Sequence, residues 1–179
     1  MGAGVQGDTI WQEEIYRILK SGNVRQVAYV PDAGHSHVIH RVNNDDLIHA
    51  IPVTTEEEGV ASVCGGWLGG QRGALLMQSS GVGNCVNMFS LVGNCRFPFL
   101  SLVTMRGEWA EFNPWQNPMG HATAQAFEMM GISVLTVDQP EQVPDVVQAA
   151  FDSVFKAGEA VAVLLSQRLM APKEWGVSR

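Results

Sequence analysis

Three consecutive carboxylates, Glu56, Glu57 and Glu58, follow two threonines in the run TTEEEG. A capping box between Thr55 and Glu58 accounts for one of them, since acidic side chains in a first turn complement the positive end of the helix dipole. Three adjacent carboxylates repel one another, however, and one is enough for a cap. The surplus makes this helix start a candidate for proton handling. A second candidate is SSGVGN at 79–84, a small-residue turn that leaves backbone groups open and lets a flat ligand approach closely. It lacks the Lys of a Walker motif and the third glycine of a dinucleotide fingerprint, so a plain tight turn explains it equally well. His35, His37 and His40 invite a metal reading, but no acidic or Cys partner is close in sequence, and solvated or substrate-facing histidines fit better. No Gly-x-Ser-x-Gly elbow occurs. Cys64, Cys85 and Cys95 lie in apolar helical stretches, where thiols usually serve as packing.

The elements that must position these residues alternate along the chain. Asp8 or Thr9 caps a first helix, with Thr9 and Gln12 at capping-box spacing; Trp11, Ile15, Ile18 and Leu19 form its apolar stripe, and Gly22 stops it. RQVAYV (25–30) is a β-prone run closed by Pro31, and a helix follows as far as Asn43-Asn44. Residues 47–53 form a second strand, and a helix runs from Thr55 to Gly70. ALLMQ (74–78) has buried-strand character, a helix starts near Asn84, and FPFLSLVTM (97–105) is the next strand. A long Trp/Pro/Asn-rich loop from Arg106 to Gly120 is a candidate for binding or capping a ligand. ISVLTV (132–137), a helix with Val143, Val147, Ala150, Phe151 and Val154 on one face, and AVAVLLS (160–166) complete the order. Six β-prone runs separated by helical patterns indicate an α/β, doubly wound, mostly parallel six-stranded sheet with helices on both faces. Ligands bind such sheets at the carboxyl ends of the strands, here the connections at 31–37, 54–58, 79–84 and 105–120.

Composition narrows the classes. The 179 residues suit one domain, expected over 9–168 between a flexible N-terminus (1–8) and a C-terminal tail (169–179). With 46% apolar and 16% charged residues the chain can bury a sizeable core. A formal charge of −7 and the lack of any basic run argue against nucleic acid. The longest charge-free stretch, 73–95, carries Gln78, Ser79, Ser80, Asn84, Asn87 and Asn94, which a bilayer would penalise, so no membrane span is expected. The start MGAGVQGDT does not resemble a secretory signal, and three unpatterned cysteines suit a reducing, cytoplasmic setting.

Taken in order, these segments resemble the pyrimidine-binding domain of thiamine-diphosphate-dependent 2-oxo acid decarboxylases. Within that superfamily the likeness is to the alpha subunit of sulfopyruvate decarboxylase and to the matching half of phosphonopyruvate decarboxylase, and it spans roughly residues 10–168. YVPD (29–32) resembles the Val-Pro-Asp turn after the first strand, and EEEGVASVCGGWLGG (56–70) the glutamate helix. LLMQSSGVGNCVN (75–87) resembles the Met-Gln-Asn-Ser-Gly-x-Gly-Asn block, and MRGE (105–108) with NPMGHAT (117–123) the Arg-Gly and Pro-Met-Gly segments. The resemblance implies that Glu57, counted back from Gly66, is the catalytic glutamate, with Glu58 the fallback if the register slips by one. Such a glutamate hydrogen-bonds N1′ of the aminopyrimidine and favours the imino tautomer, whose nitrogen then removes the thiazolium C2 proton. Ser80, Gly81, Val82, Gly83 and Asn84 would lie under the pyrimidine, and Asp32, His35, Arg106 and His121 become candidates for proton transfer or for holding an anionic substrate. Arg106 suits a sulfonate or phosphonate tail, although a surface pairing with Glu108 explains it equally well. Where relatives often carry Arg or Lys after Pro-Met-Gly this chain has His121, near Trp109 and Trp115, which leaves the substrate open.

In that superfamily Mg2+ anchors the diphosphate at a Gly-Asp-Gly motif with an Asn further along, and no such arrangement occurs here. The resemblance therefore implies an alpha subunit that is inactive alone and pairs with a beta subunit supplying the diphosphate and Mg2+ site, in a symmetric hetero-oligomer. The expected reaction is decarboxylation of a short anionic 2-oxo acid, 3-sulfopyruvate first and 3-phosphonopyruvate second. A carboligase with the same half-site and a non-catalytic binding or regulatory domain of the same fold are the alternatives.

Overall fold

The computed structural model describes residues 8–170, with side chains from residue 11 onward. Residues 1–7 and 171–179, most of the two expected terminal segments, lie outside it, as do the side chains of the expected caps Asp8 and Thr9. The helices are α1 (Asp8–Ser21), α2 (Ser36–Asn43), α3 (Glu56–Leu68), α4 (Ser79–Cys85), α5 (Phe89–Cys95), α6 (Asn117–Glu128) and α7 (Val143–Ala157). Strands β1 (Val24–Tyr29), β2 (His49–Pro52), β3 (Arg72–Gln78), β4 (Phe99–Thr104), β5 (Ser133–Val137) and β6 (Ala160–Leu165) form one sheet in the order β2-β1-β3-β4-β6-β5. Every pairing is parallel, so the mostly parallel expectation becomes a wholly parallel sheet.

The near-continuous apolar strands follow from having helices on both faces. Ala74 and Leu76 of β3 enter a core under α1, α2 and α7, while Leu75 and Met77 enter a second core under α3–α6. Leu100 and Val103 of β4 divide in the same way. Leu169, expected in the tail, is buried in the first core. No described helix is long and apolar enough to cross a membrane.

Three local expectations are corrected. Gly22 does follow the end of α1, but not as a left-handed cap: a Cβ there would lie 2.2 Å from the Phe151 ring, and it is Asn23 that takes the left-handed φ of 58°. The run SSGVGN is the helix α4 itself, beginning at Ser79 directly after β3, where a turn had been expected. The long loop after β4 shortens, because a 3-10 turn at Pro114–Gln116 leads into α6 from Asn117. Pro118 in the first turn of α6 lacks only an amide that a helix start leaves unbonded anyway.

Candidate functional site

The carboxyl ends of β1, β2, β3 and β4 bring Asp32, the glutamate run, α4 and the Arg106–Gly107 corner to one edge of the sheet. There the three glutamates serve three different ends. Glu58 accepts the Thr54 backbone N–H at 2.9 Å, whereas Thr55 makes no side-chain cap, so the capping box forms by half and one residue early. Glu56 is buried and accepts a hydrogen bond from Asn84 Nδ2 at 3.2 Å. Glu57 is half-buried, and its Oε2 is a buried oxygen with no hydrogen-bond partner. Behind them, burial and the charges of Glu56 and Glu57 push the Cys85 thiol up to about 12.

Gly81 admits the Glu56 carboxyl group, since a Cβ at 81 would stand 2.1 Å from its Cδ. Val82 is buried in the second core, so its side chain is turned from any ligand. Gly83 is exposed beside the Met119 sulfur, and Asn84 spends its amide on Glu56. Ser80 Oγ donates to Gln78 Oε1 at 2.9 Å, and Gln78 Nε2 donates to Asp32 Oδ1 at 3.0 Å. Thr104 Oγ1 donates to the other Asp32 oxygen. Asp32 thus ties together the ends of β1, β3 and β4. Burial pushes its carboxyl up, but His35 and hydrogen bonds from Thr104, Gln78 and the Gly34 N–H outweigh burial and hold its pKa below the ordinary value. Burial pushes the His35 ring below its ordinary value, outweighing the Asp32 charge and the hydrogen bonds to the Leu102 and Met77 backbone.

His35 was expected to face substrate, but it is fully buried, with Nε2 3.0 Å from the Leu102 carbonyl and Nδ1 without a partner. It can reach a ligand only through other groups. His37 contacts Glu13 at 2.9 Å, an acidic partner far away in sequence, and Arg41 shares that carboxylate. Among the described residues no group of three or more His, Cys, Asp or Glu is placed to hold a metal.

Arg106 does not pair with Glu108. Its guanidinium grips Glu111 through Nε and Nη2. Glu111 also accepts from the backbone N–H groups of Gly107 and Asn113 and from Gln167 Nε2, and with Arg106 foremost these hold its pKa at about 2. Glu108 instead accepts from Ser166 Oγ and the Gln167 N–H, both at 2.6 Å, which anchors the loop to the end of β6. The Arg-Gly and Pro-Met-Gly segments meet backbone to backbone, since a Cβ at Gly120 would lie 2.2 Å from the Arg106 carbonyl oxygen. His121 is exposed on α6, and Trp115 on the 3-10 turn is 89% exposed. Sequence reasoning singled out Glu56 within the glutamate run without giving it a separate role, and it missed Gln78, Thr104 and Glu111. Of those three, only Gln78 carried a visible signal, as part of the LLMQ run.

No family model matches the chain. In structure it is similar to 2-oxoglutarate:ferredoxin oxidoreductase from Magnetococcus marinus, with a TM-score of 0.67 at 12% identity over 89% of this chain and 29% of that one. It is 34% identical to phosphonopyruvate decarboxylase of Streptomyces hygroscopicus, matching 72% of this chain but 32% of that longer protein. It is 34% identical to sulfopyruvate decarboxylase subunit alpha of Methanothermobacter thermautotrophicus, covering 93% of it. The same subunit of Methanococcus maripaludis is 35% identical over 86% of this chain and 92% of its own length, and on that match the chain belongs to the family of sulfopyruvate decarboxylase alpha subunits.

Proposed function

We propose that this chain is the pyrimidine-binding alpha subunit of a thiamine-diphosphate-dependent decarboxylase of a short anionic 2-oxo acid, with 3-sulfopyruvate first and 3-phosphonopyruvate second. Its beta subunit would hold the diphosphate and Mg2+ and complete the site across a subunit interface in a symmetric hetero-oligomer. The single observation that carries the reading is the unpartnered Glu57 oxygen at the start of α3. A buried acceptor with no donor is costly, and the N1′–H that the aminopyrimidine carries in its imino or protonated form would supply that donor. The residues present therefore fit the cofactor.

Thiamine diphosphate, when bound, supplies the carbon nucleophile for the ketone and the electron sink for decarboxylation. Glu57 holds the hydrogen bond at N1′ that sets the tautomer. Gly83 keeps the exposed surface of α4 low, with Ser80 exposed nearby, whereas Gly81 is buried against Glu56. Asp32, whose pKa His35 and its hydrogen bonds hold below the ordinary value, is the candidate to accept and return a proton at the substrate. Glu111 already balances the charge of Arg106, so His121 remains the exposed candidate for an anionic tail. Three unpaired cysteines fit a reducing compartment such as the cytoplasm.

The test is co-expression with the protein encoded beside it, followed by a carbon dioxide release assay over a panel of 2-oxo acids. Release that needs both chains, thiamine diphosphate and Mg2+, and is fastest with 3-sulfopyruvate, is the expected result. Release indifferent to thiamine diphosphate, or none from any 2-oxo acid, overturns the reading.

A further inference from the structure

Glu58 caps the helix and Glu57 is assigned to the cofactor, which leaves Glu56 without a role although it is the most buried of the three. A carboxylate is expensive to bury unless it is hydrogen-bonded, so its partners explain its place. Both lie on α4. Asn84 donates to its Oε2, and Gly81 leaves a notch that even an alanine would fill. The first turn of α3 is thereby seated in the first turns of α4. Successive residues of a helix point about 100° apart around its axis, so with Glu56 turned into this seam, Glu57 is turned out of it. Rolling α3 far enough to bury Glu57 in the seam would pull Glu56 from Asn84.

We propose that Glu56 is a positioning residue. Through Asn84 and the Gly81 notch it fixes the roll of α3 and so aims the free Glu57 oxygen at the pyrimidine. This rests on the assignment of Glu57 to the cofactor, and it deepens that assignment by giving the neighbouring carboxylate a separate task.

The test uses the complex reconstituted with its beta subunit and a swap of donor and acceptor. Asn84→Asp sets two carboxylates against each other, while Glu56→Gln combined with Asn84→Asp restores one hydrogen bond with the roles exchanged. Affinity is read by titrating thiamine diphosphate with Mg2+ against tryptophan fluorescence, alongside the melting temperature and kcat at saturating cofactor. Asn84→Asp is expected to weaken cofactor binding at least ten-fold, and the double variant to return within three-fold of the parent. Glu56→Gln alone keeps kcat at saturating cofactor within three-fold, where Glu57→Gln loses it. A double variant no better than Asn84→Asp overturns the proposal, as does a melting temperature that shifts while affinity stays constant. If Glu56→Gln abolishes kcat as Glu57→Gln does, Glu56 is itself the proton-handling group. Failure of the underlying assignment looks different: Glu57→Gln would retain full kcat while the swap still rescued affinity.

Discussion

Arg106 and Glu111 face each other as a two-pronged ion pair, with side chains only 12% and 4% exposed. The carboxylate of Glu111 also gathers two backbone N–H groups and Gln167, so one acid organises the whole corner after β4. Its pKa falls from 4.5 to about 2 in the folded chain. A carboxylate whose folded pKa lies below its unfolded one stabilises the native state above the unfolded value, and that contribution fades as pH drops from about 4.5 towards 2. Thermal melts between pH 7 and pH 3 should show this loss in the parent and a flatter profile in Glu111→Gln. Glu111→Ala, which strands Arg106, should cost about 3 kcal/mol. An unchanged profile in Glu111→Gln would remove the pair as a source of acid sensitivity.

Glycines in this chain divide sharply by the space around them. Gly107 has φ +75°, and a Cβ there would lie 2.2 Å from the Gln116 carbonyl oxygen, whereas nothing lies within 4 Å of a Cβ at Gly65 in α3. Gly107→Ala and Gly120→Ala should each destabilise the chain by about 3 kcal/mol. Gly65→Ala should stabilise it by about 0.5–1 kcal/mol through helix propensity. Urea unfolding of the three variants checks both signs, and a stable Gly120→Ala would contradict the close backbone approach.

The thiols should separate by reactivity. Burial pushes Cys85 to about 12 and Cys64 to about 11, while Cys95 is exposed. Iodoacetamide at pH 7.5 should modify Cys95 in the native chain and all three after denaturation, as read by mass spectrometry. Fast native labelling of Cys85 would place that thiol, and the glutamates beside it, in a more open setting.

Asp32→Asn preserves shape but replaces an ionised acceptor with an amide that confronts the Gln78 amide. The stability cost should be about 1 kcal/mol. If Asp32 handles a proton, kcat of the reconstituted complex should fall about 100-fold or more. A loss confined to stability would make the residue a tie between strands only.

The strands, the order of elements and the edge that carries the site were legible because buried parallel strands leave long apolar runs that Gly and Pro punctuate. Where small residues left the period ambiguous, reading failed. Ser79 to Cys85 has the composition of a turn, yet it is helical because α3 and α6 pack closely enough on it to need glycines at 81 and 83. Side-chain partnerships were the least legible. Arg106 has one acid two residues away and another five away, and its choice of Glu111 depends on Glu108 being drawn to Ser166 and Gln167, nearly sixty residues along the chain. His35 reads as polar and available, but its place below the Leu102 carbonyl is a tertiary fact.

The backbone approach of residues 107 and 120 turns the intervening segment into a loop whose two feet are pinned together. Trp115 stands exposed beside Gln116, whose carbonyl lies against residue 107 at one of those feet. An exposed position such as Trp115 can vary without touching these contacts, whereas Glu108 and Glu111 of the same loop cannot, because they tie it to the end of β6 and to Arg106.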